Sequence, residues 1–103
     1  MRNENALRGL LGLAQRAGRL QTGGDIAIAA VKTGKAVIAL VDESASENTV
    51  KKISDACIYY HVPLYHLPEG LLEMSCGRSG RVVAALTDAG FAAKIQSILS
   101  EEE

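Results

Sequence analysis

Residues 36–41 read AVIALV, and residues 81–86 read RVVAAL. Each is a short, nearly unbroken apolar run rich in β-branched residues. A strand with one wet face alternates apolar and polar side chains, so a run without that alternation is covered on both faces. A sheet covered on both faces needs helices on both sides, and the remaining sequence supplies them.

Upstream of the first run, Leu7, Leu10, Leu11 and Ala14 fall at i, i+3, i+4 and i+7, a helical stripe. Asn3 or Asn5 can cap that helix, and Gly18 stops it. A short extended piece, Leu20 to Thr22, leads into Thr22-Gly23-Gly24-Asp25, which opens a second helix ended by Gly34. Downstream of Val41, the polar loop 42–48 offers Ser46 or Asn48 as the cap of a third helix. That helix has Val50, Ile53, Cys57 and Tyr60 on one face, and Tyr59, Tyr60 and Tyr65 are expected to cover the sheet. Pro63 begins an extended segment, Leu64 to Leu67. Pro68 suits the first turn of a short helix through Met74, followed by a loop, Ser75 to Gly80. After RVVAAL, Thr87 or Asp88 caps a last helix with Phe91, Ile95, Ile98 and Leu99 facing the core. The pattern predicts one α/β domain over residues 1–103, ending in a solvated acidic tail at 101–103.

Composition bounds the function. Of 103 residues, 48% are hydrophobic and 22% charged, which is ordinary for a globular domain. Aromatics are 4%, with no Trp, so a platform of stacked aromatics for single-stranded RNA is not expected. No apolar stretch reaches the roughly 18 residues of a membrane span. Arg8 and Arg16 interrupt the apolar N-terminal patch, which argues against a secretion signal. The two cysteines, Cys57 and Cys76, lack CxxC spacing and read as reduced thiols of a cytoplasmic protein. The net charge of −1 conceals polarity: residues 1–52 carry +3 and residues 53–103 carry −4. A pI near 6.1 does not by itself mark a nucleic-acid binder.

Two segments carry candidate chemistry. In Thr22-Gly23-Gly24-Asp25-Ile26, two glycines at a helix start let backbone N–H groups approach an anion. A glycine pair at a helix start is more often only a turn, and Asp25 would repel an anion. In Gly77-Arg78-Ser79-Gly80-Arg81, two guanidinium groups on a flexible turn match phosphate bidentately, although a solvated surface turn explains the same residues. The stretch SASENTVKK (44–52) brings hydroxyls, an amide and two lysines to a helix start. Gly34-Lys35 lacks the Ser or Thr and the upstream Gly of a P-loop. His61 and His66 have no carboxylate at metal-ligand spacing, neither cysteine has a base partner, and no nucleophile–base–oxyanion set exists. The expectation is no enzyme activity, no metal and no cofactor.

The order of segments adds a resemblance. LLGLAQRAGRLQTGGDIAIAAVKTGKA (10–36), AVIALVDESASENTVKKI (36–53), HVPLYHL (61–67) and RVVAALTDAGFA (81–92) together resemble the kink-turn-binding ribosomal protein family, the L-seven-Ae family. They come closest to its bacterial YlxQ-like branch, over roughly residues 7–99. The resemblance implies a three-layer α-β-α sandwich with a small mixed four-stranded sheet. It implies a structured RNA partner, ribosomal or otherwise containing a kink-turn, with ribosome association in the cytoplasm. In the family a turn and helix start read Gly-x-Asn-Glu, with a Lys one turn later. By position the Gly is Gly23 and the variable residue is Gly24; Asp25 stands for the Asn, Ile26 for the Glu and Ala29 for the Lys. Asp25 keeps an acceptor but loses the amide donor, and Ile26 and Ala29 offer no polar contact. The family's second loop becomes Arg78-Ser79-Gly80, more basic and less apolar.

The expected function is therefore non-catalytic RNA binding through Thr22, Gly23, Gly24, Asp25, Ile26, Lys32, Arg78, Ser79 and Gly80, with salt-dependent affinity from arginines and lysines. The alternative is a protein-interaction or dimerisation module that kept the fold. Ile26 and Ala29 would then form an apolar contact patch.

Overall fold

The structure, a computed structural model, describes residues 3–101. In chain order it runs α1 (Glu4–Arg16), β1 (Leu20–Thr22), α2 (Gly24–Lys32), β2 (Ile38–Asp42), α3 (Glu47–Tyr60), β3 (Leu64–Leu67), α4 (Leu71–Cys76), β4 (Val83–Leu86) and α5 (Ala89–Glu101). The four strands form one mixed sheet in the order β1-β4-β2-β3. β4 runs antiparallel to both β1 and β2, and β2 runs parallel to β3.

Every residue of β2 and β4 is buried, as their unbroken apolar runs predict. Successive side chains alternate between two cores. Ile38, Leu40, Ala84 and Leu86 join Leu7 and Leu11 of α1, Leu71 and Leu72 of α4, and Ile95 and Leu99 of α5. Ala39, Val41, Val83 and Ala85 join Ala27, Ala30 and Val31 of α2 and Ile53, Ala56 and Cys57 of α3. Fully burying one such Leu or Ile contributes about 1.5–3 kcal/mol. Helices thus lie on both faces of the sheet, a three-layer α/β arrangement.

Where alternatives stood open, the geometry selects. Asn3 holds the N-cap position of α1, and Asn5 lies inside the helix. Ser46 caps α3, its Oγ accepting from the Thr49 N–H at 3.2 Å. Asp88 caps α5, its Oδ2 accepting from the Phe91 N–H at 2.9 Å, while the Thr87 hydroxyl donates to the Arg19 carbonyl. Gly18 takes a left-handed φ of 72° just past α1.

Five boundaries differ from the sequence reading. β2 begins at Ile38 and not Ala36, because the Lys35 and Ala36 N–H groups both donate to the Ala30 carbonyl and tie that stretch to the end of α2. β4 begins at Val83 and not Arg81. The short helix starts at Leu71, with Pro68 ahead of it, and continues through Cys76; the Leu71 carbonyl accepts the Ser75 hydroxyl at 2.7 Å. Glu101, expected in the acidic tail, belongs to α5, and Glu102 and Glu103 lie outside the described residues.

Tyr59 and Tyr60 do not cover the sheet. They are 75% and 42% exposed, and only Tyr65 packs against the core. The cause is length. α3 spans 14 residues, about 21 Å. β2, the longest strand, spans 5 residues, about 17 Å. Ile58, Tyr59 and Tyr60 of the last turn of α3 are all exposed, and the helix ends at His61, which takes a left-handed φ of 58°.

Candidate nucleic-acid interface

β1 passes into α2 with a single residue between them. That residue, Gly23, donates its N–H to the Val83 carbonyl and accepts the Ala27 N–H, both at 2.9 Å. It completes the β1–β4 ladder and starts the helix at once, which requires a φ of 109° and ψ of 144°. Only glycine adopts that backbone readily. No side chain caps the helix, and Gly24, Asp25 and Ile26 are exposed. The first N–H groups of α2 thus face outward without helical acceptors, at the positive end of the helix dipole.

Arg81 stands over this tip. Its Nη1 lies 3.3 Å from where a Cβ on Gly23 would be. The residue is half-buried, and its Nε is fully shielded and has no hydrogen-bond partner. Among the described residues the one ion pair is Lys51 with Asp55, so no carboxylate neutralises Arg81. The antiparallel pairing of β1 with β4 brings these two residues together, with Thr22 opposite Ala84.

Arg78, Ser79 and Gly80 are exposed in the loop just before Arg81. Gly77 and Gly80 both take left-handed backbone, with φ of 68° and 78°. The Gly80 N–H donates to Glu73 Oε1 at 2.9 Å, which folds the loop back on α4. Thr22 is buried beneath the tip. On the other side of α2, a depression of about 130 Å³ is lined by Gly24, Asp25, Ile28, Thr49 and Lys52, among others. The SASENTVKK segment therefore does reach the helix tip, through Thr49 and Lys52.

The cations do not all converge. Lys32 lies in the last turn of α2, about 12 Å along the axis from Gly24. It shares a groove with Lys52, Tyr59 and Tyr60. Arg19 and Lys35 line a separate depression of about 550 Å³ with Ile26 and Ala29. Arg8 and Arg16 flank a third, between α1 and α4. Arg81 is the cation brought against Gly23. Spacing alone did not single it out, because its position depends on strand order.

Asp42 is buried, and its carboxylate accepts from the Ser44 N–H, the Ser44 hydroxyl and the Gly70 N–H, a structural clamp between the β2–α3 loop and the start of α4. Cys57 is buried in the α2–α3 core, and burial pushes its thiol pKa up. Among the described residues no cluster of His, Cys, Asp and Glu could hold a metal ion, and no helix is long and apolar enough to cross a membrane.

The chain and its fold have known relatives. The model of the ribosomal protein L7Ae/L30e/S12e/Gadd45 family matches residues 5–96, and the chain belongs to that family. It is 44% identical over 91 residues to the RNA-binding protein YlxQ of Bacillus subtilis, covering 87% of this chain and 91% of that protein. It is 40% identical over 98 residues to the RNA-binding protein YlxQ of Enterococcus faecium, covering 94% of each. Among solved structures, a Bacillus halodurans protein of unknown function superposes with a TM-score of 0.86 at 33% identity, over 91% of this chain and 96% of that one. The Giardia lamblia 15.5 kD RNA-binding protein superposes with a TM-score of 0.80 over 98% of this chain and 88% of that one. At 19% identity, that likeness shows the fold alone.

Proposed function

We propose that this protein binds structured RNA of kink-turn type without catalysing a reaction, and that it works in the cytoplasm in association with ribosomal or similar RNA. The observation that carries this reading is the Arg81 guanidinium set against Gly23 at the open tip of α2. The uncapped first N–H groups of α2 and a guanidinium nitrogen lie side by side there, a donor set that suits a phosphodiester backbone. Family membership and the names of the two YlxQ relatives support it. Thr22 holds the tip from beneath, Gly23 and Gly24 keep it low, and Asp25 presents an acceptor toward a base edge. Arg78, Ser79 and Gly80 would contact the strand beyond.

A filter-binding titration compares a kink-turn RNA with a straight duplex of equal length. Preference for the kink-turn, with affinity falling as salt rises, is the expected result. Equal, weak binding to both would remove the kink-turn reading, and indifference to salt would remove the phosphate reading.

One observation favours a second reading, a protein-interaction or dimerisation module. Ile26 is 53% exposed and lines a depression with Ala29, positions where the family carries charge. Self-association that survives nuclease treatment and is lost in Ile26→Asp would support it.

A further inference from the structure

Resting on the RNA-binding reading, we propose that the notch between α1 and α4 is a second phosphodiester site, which seats the RNA stem that leaves the loop at residues 77–81. Arg8, Gly12 and Arg16 fall at i, i+4 and i+8 on one face of α1. With Asn5, Gly9, Met74 and Ser75 they line a depression of about 430 Å³. No acidic side chain lines it. Glu73, next to Met74 on α4, is engaged with the Gly80 N–H. Among the described residues the Lys51–Asp55 pair is the one salt bridge, so neither arginine is neutralised.

The floor of the notch is built from glycine where packing does not demand it. A Cβ on Gly9 would meet nothing within 4 Å, and one on Gly12 would meet the Ser75 carbonyl at 3.6 Å and Arg16 Nη1 at 3.7 Å. Alanine would fit both places in ordinary contact and suit a helix better. The glycines leave a low channel between two exposed guanidinium groups. The backbones of Arg8 and Arg16 stand about 12 Å apart along α1, a spacing that suits two phosphates about two nucleotides apart on a strand better than one free phosphate. Ser75, on the far wall, precedes Arg81 by six residues of the same loop-bearing segment. The loop at residues 77–80 thereby joins the wall of the notch to the cation at the helix tip.

The test uses two kink-turn RNAs, one with a short stem and one with a long stem, titrated at several salt concentrations. The double variant Arg8→Ala/Arg16→Ala should lose about tenfold in affinity for the long-stemmed RNA and lower its salt slope by about 1.5, since each phosphate contact contributes about 0.7–0.9. Its affinity for the short-stemmed RNA should stay unchanged. Arg8→Lys/Arg16→Lys should keep the slope. Gly12→Glu, which sets a carboxylate one turn from each arginine, should mimic the double alanine variant. Equal losses on both RNAs, or no loss on either, overturn the proposal, as does nuclease-resistant self-association abolished by the double variant. Unchanged binding of the short-stemmed RNA by Gly23→Ala and Arg81→Met would instead overturn the helix-tip reading. An Arg8/Arg16-dependent gain on the long stem would then still stand.

Discussion

The Arg81 guanidinium lies 3.3 Å from the place a β-carbon on Gly23 would occupy, although the two residues are 58 positions apart in the chain. This closeness gives Gly23 two reasons to be glycine. A side chain there would have to adopt a φ of 109° and would also push the cation aside. Gly23→Ala should therefore lower stability by about 1–3 kcal/mol, the range for backbone held in a disfavoured region, and weaken RNA binding with it. Gly24, whose Cβ would meet nothing within 4 Å, should accept alanine with no loss in a thermal melt.

Arg81 should separate stability from binding. Its Nε is shielded and has no partner, which costs about 1–3 kcal/mol for a buried polar group. Arg81→Met keeps the apolar stem and removes that cost. The variant should match or exceed the parent in urea unfolding, while its RNA affinity falls and its salt slope drops by about one phosphate contact.

Restoring the polar set at the α2 tip should sharpen discrimination. The triple change Asp25→Asn, Ile26→Glu and Ala29→Lys alters exposed positions, so the fold should tolerate it. Binding should then favour a kink-turn over a straight duplex by about tenfold more than in the parent, the value of one good base-directed contact. An unchanged ratio in a filter-binding titration would detach kink-turn preference from these positions.

Asp42 is a purely structural carboxylate. Asp42→Ala strands two backbone N–H groups, those of Ser44 and Gly70, and should cost about 2–4 kcal/mol in urea unfolding with little change in m-value.

The thiols should part by access. Burial raises the pKa of Cys57, so the folded protein holds it protonated where the unfolded chain, with a thiol pKa of about 8.5, has begun to ionise. That contribution is full below the unfolded value and is lost as pH climbs toward the raised folded one. A thiol reagent at mildly alkaline pH should label Cys76 promptly and Cys57 only after denaturant is added.

Much of this molecule is legible in its sequence. The runs at 36–41 and 81–86 declare doubly covered strands because no polar residue interrupts them, and Gly18 and Gly34 mark helix ends by their backbone freedom. The strand order is not legible, because pairing β1 with β4 joins segments far apart in the chain. For that reason Arg81 is harder to place than Lys32, which lies on the helix that Gly23 precedes, yet at its far end. The exposure of Tyr59 and Tyr60 was hidden too: helical spacing carries no information about where the sheet beneath it stops. The clustering of Arg8 and Arg16 across Gly12 is legible as spacing, but the wall that makes it a notch comes from α4.

The two faces of the central strands are unequal in bulk. One face offers Ile38, Leu40, Ala84 and Leu86; the other offers only Ala39, Val41, Val83 and Ala85. Slipping either strand by one residue would swap the faces, crowding one layer and hollowing the other. This steric bias settles which helices dock on which side. The alanines of α2, Ala27 and Ala30, meet a shallow surface and nest close, which sets the start of that helix level with the rim where β4 begins. The place where RNA is proposed to sit thus depends on small buried methyl groups well away from the surface it would touch.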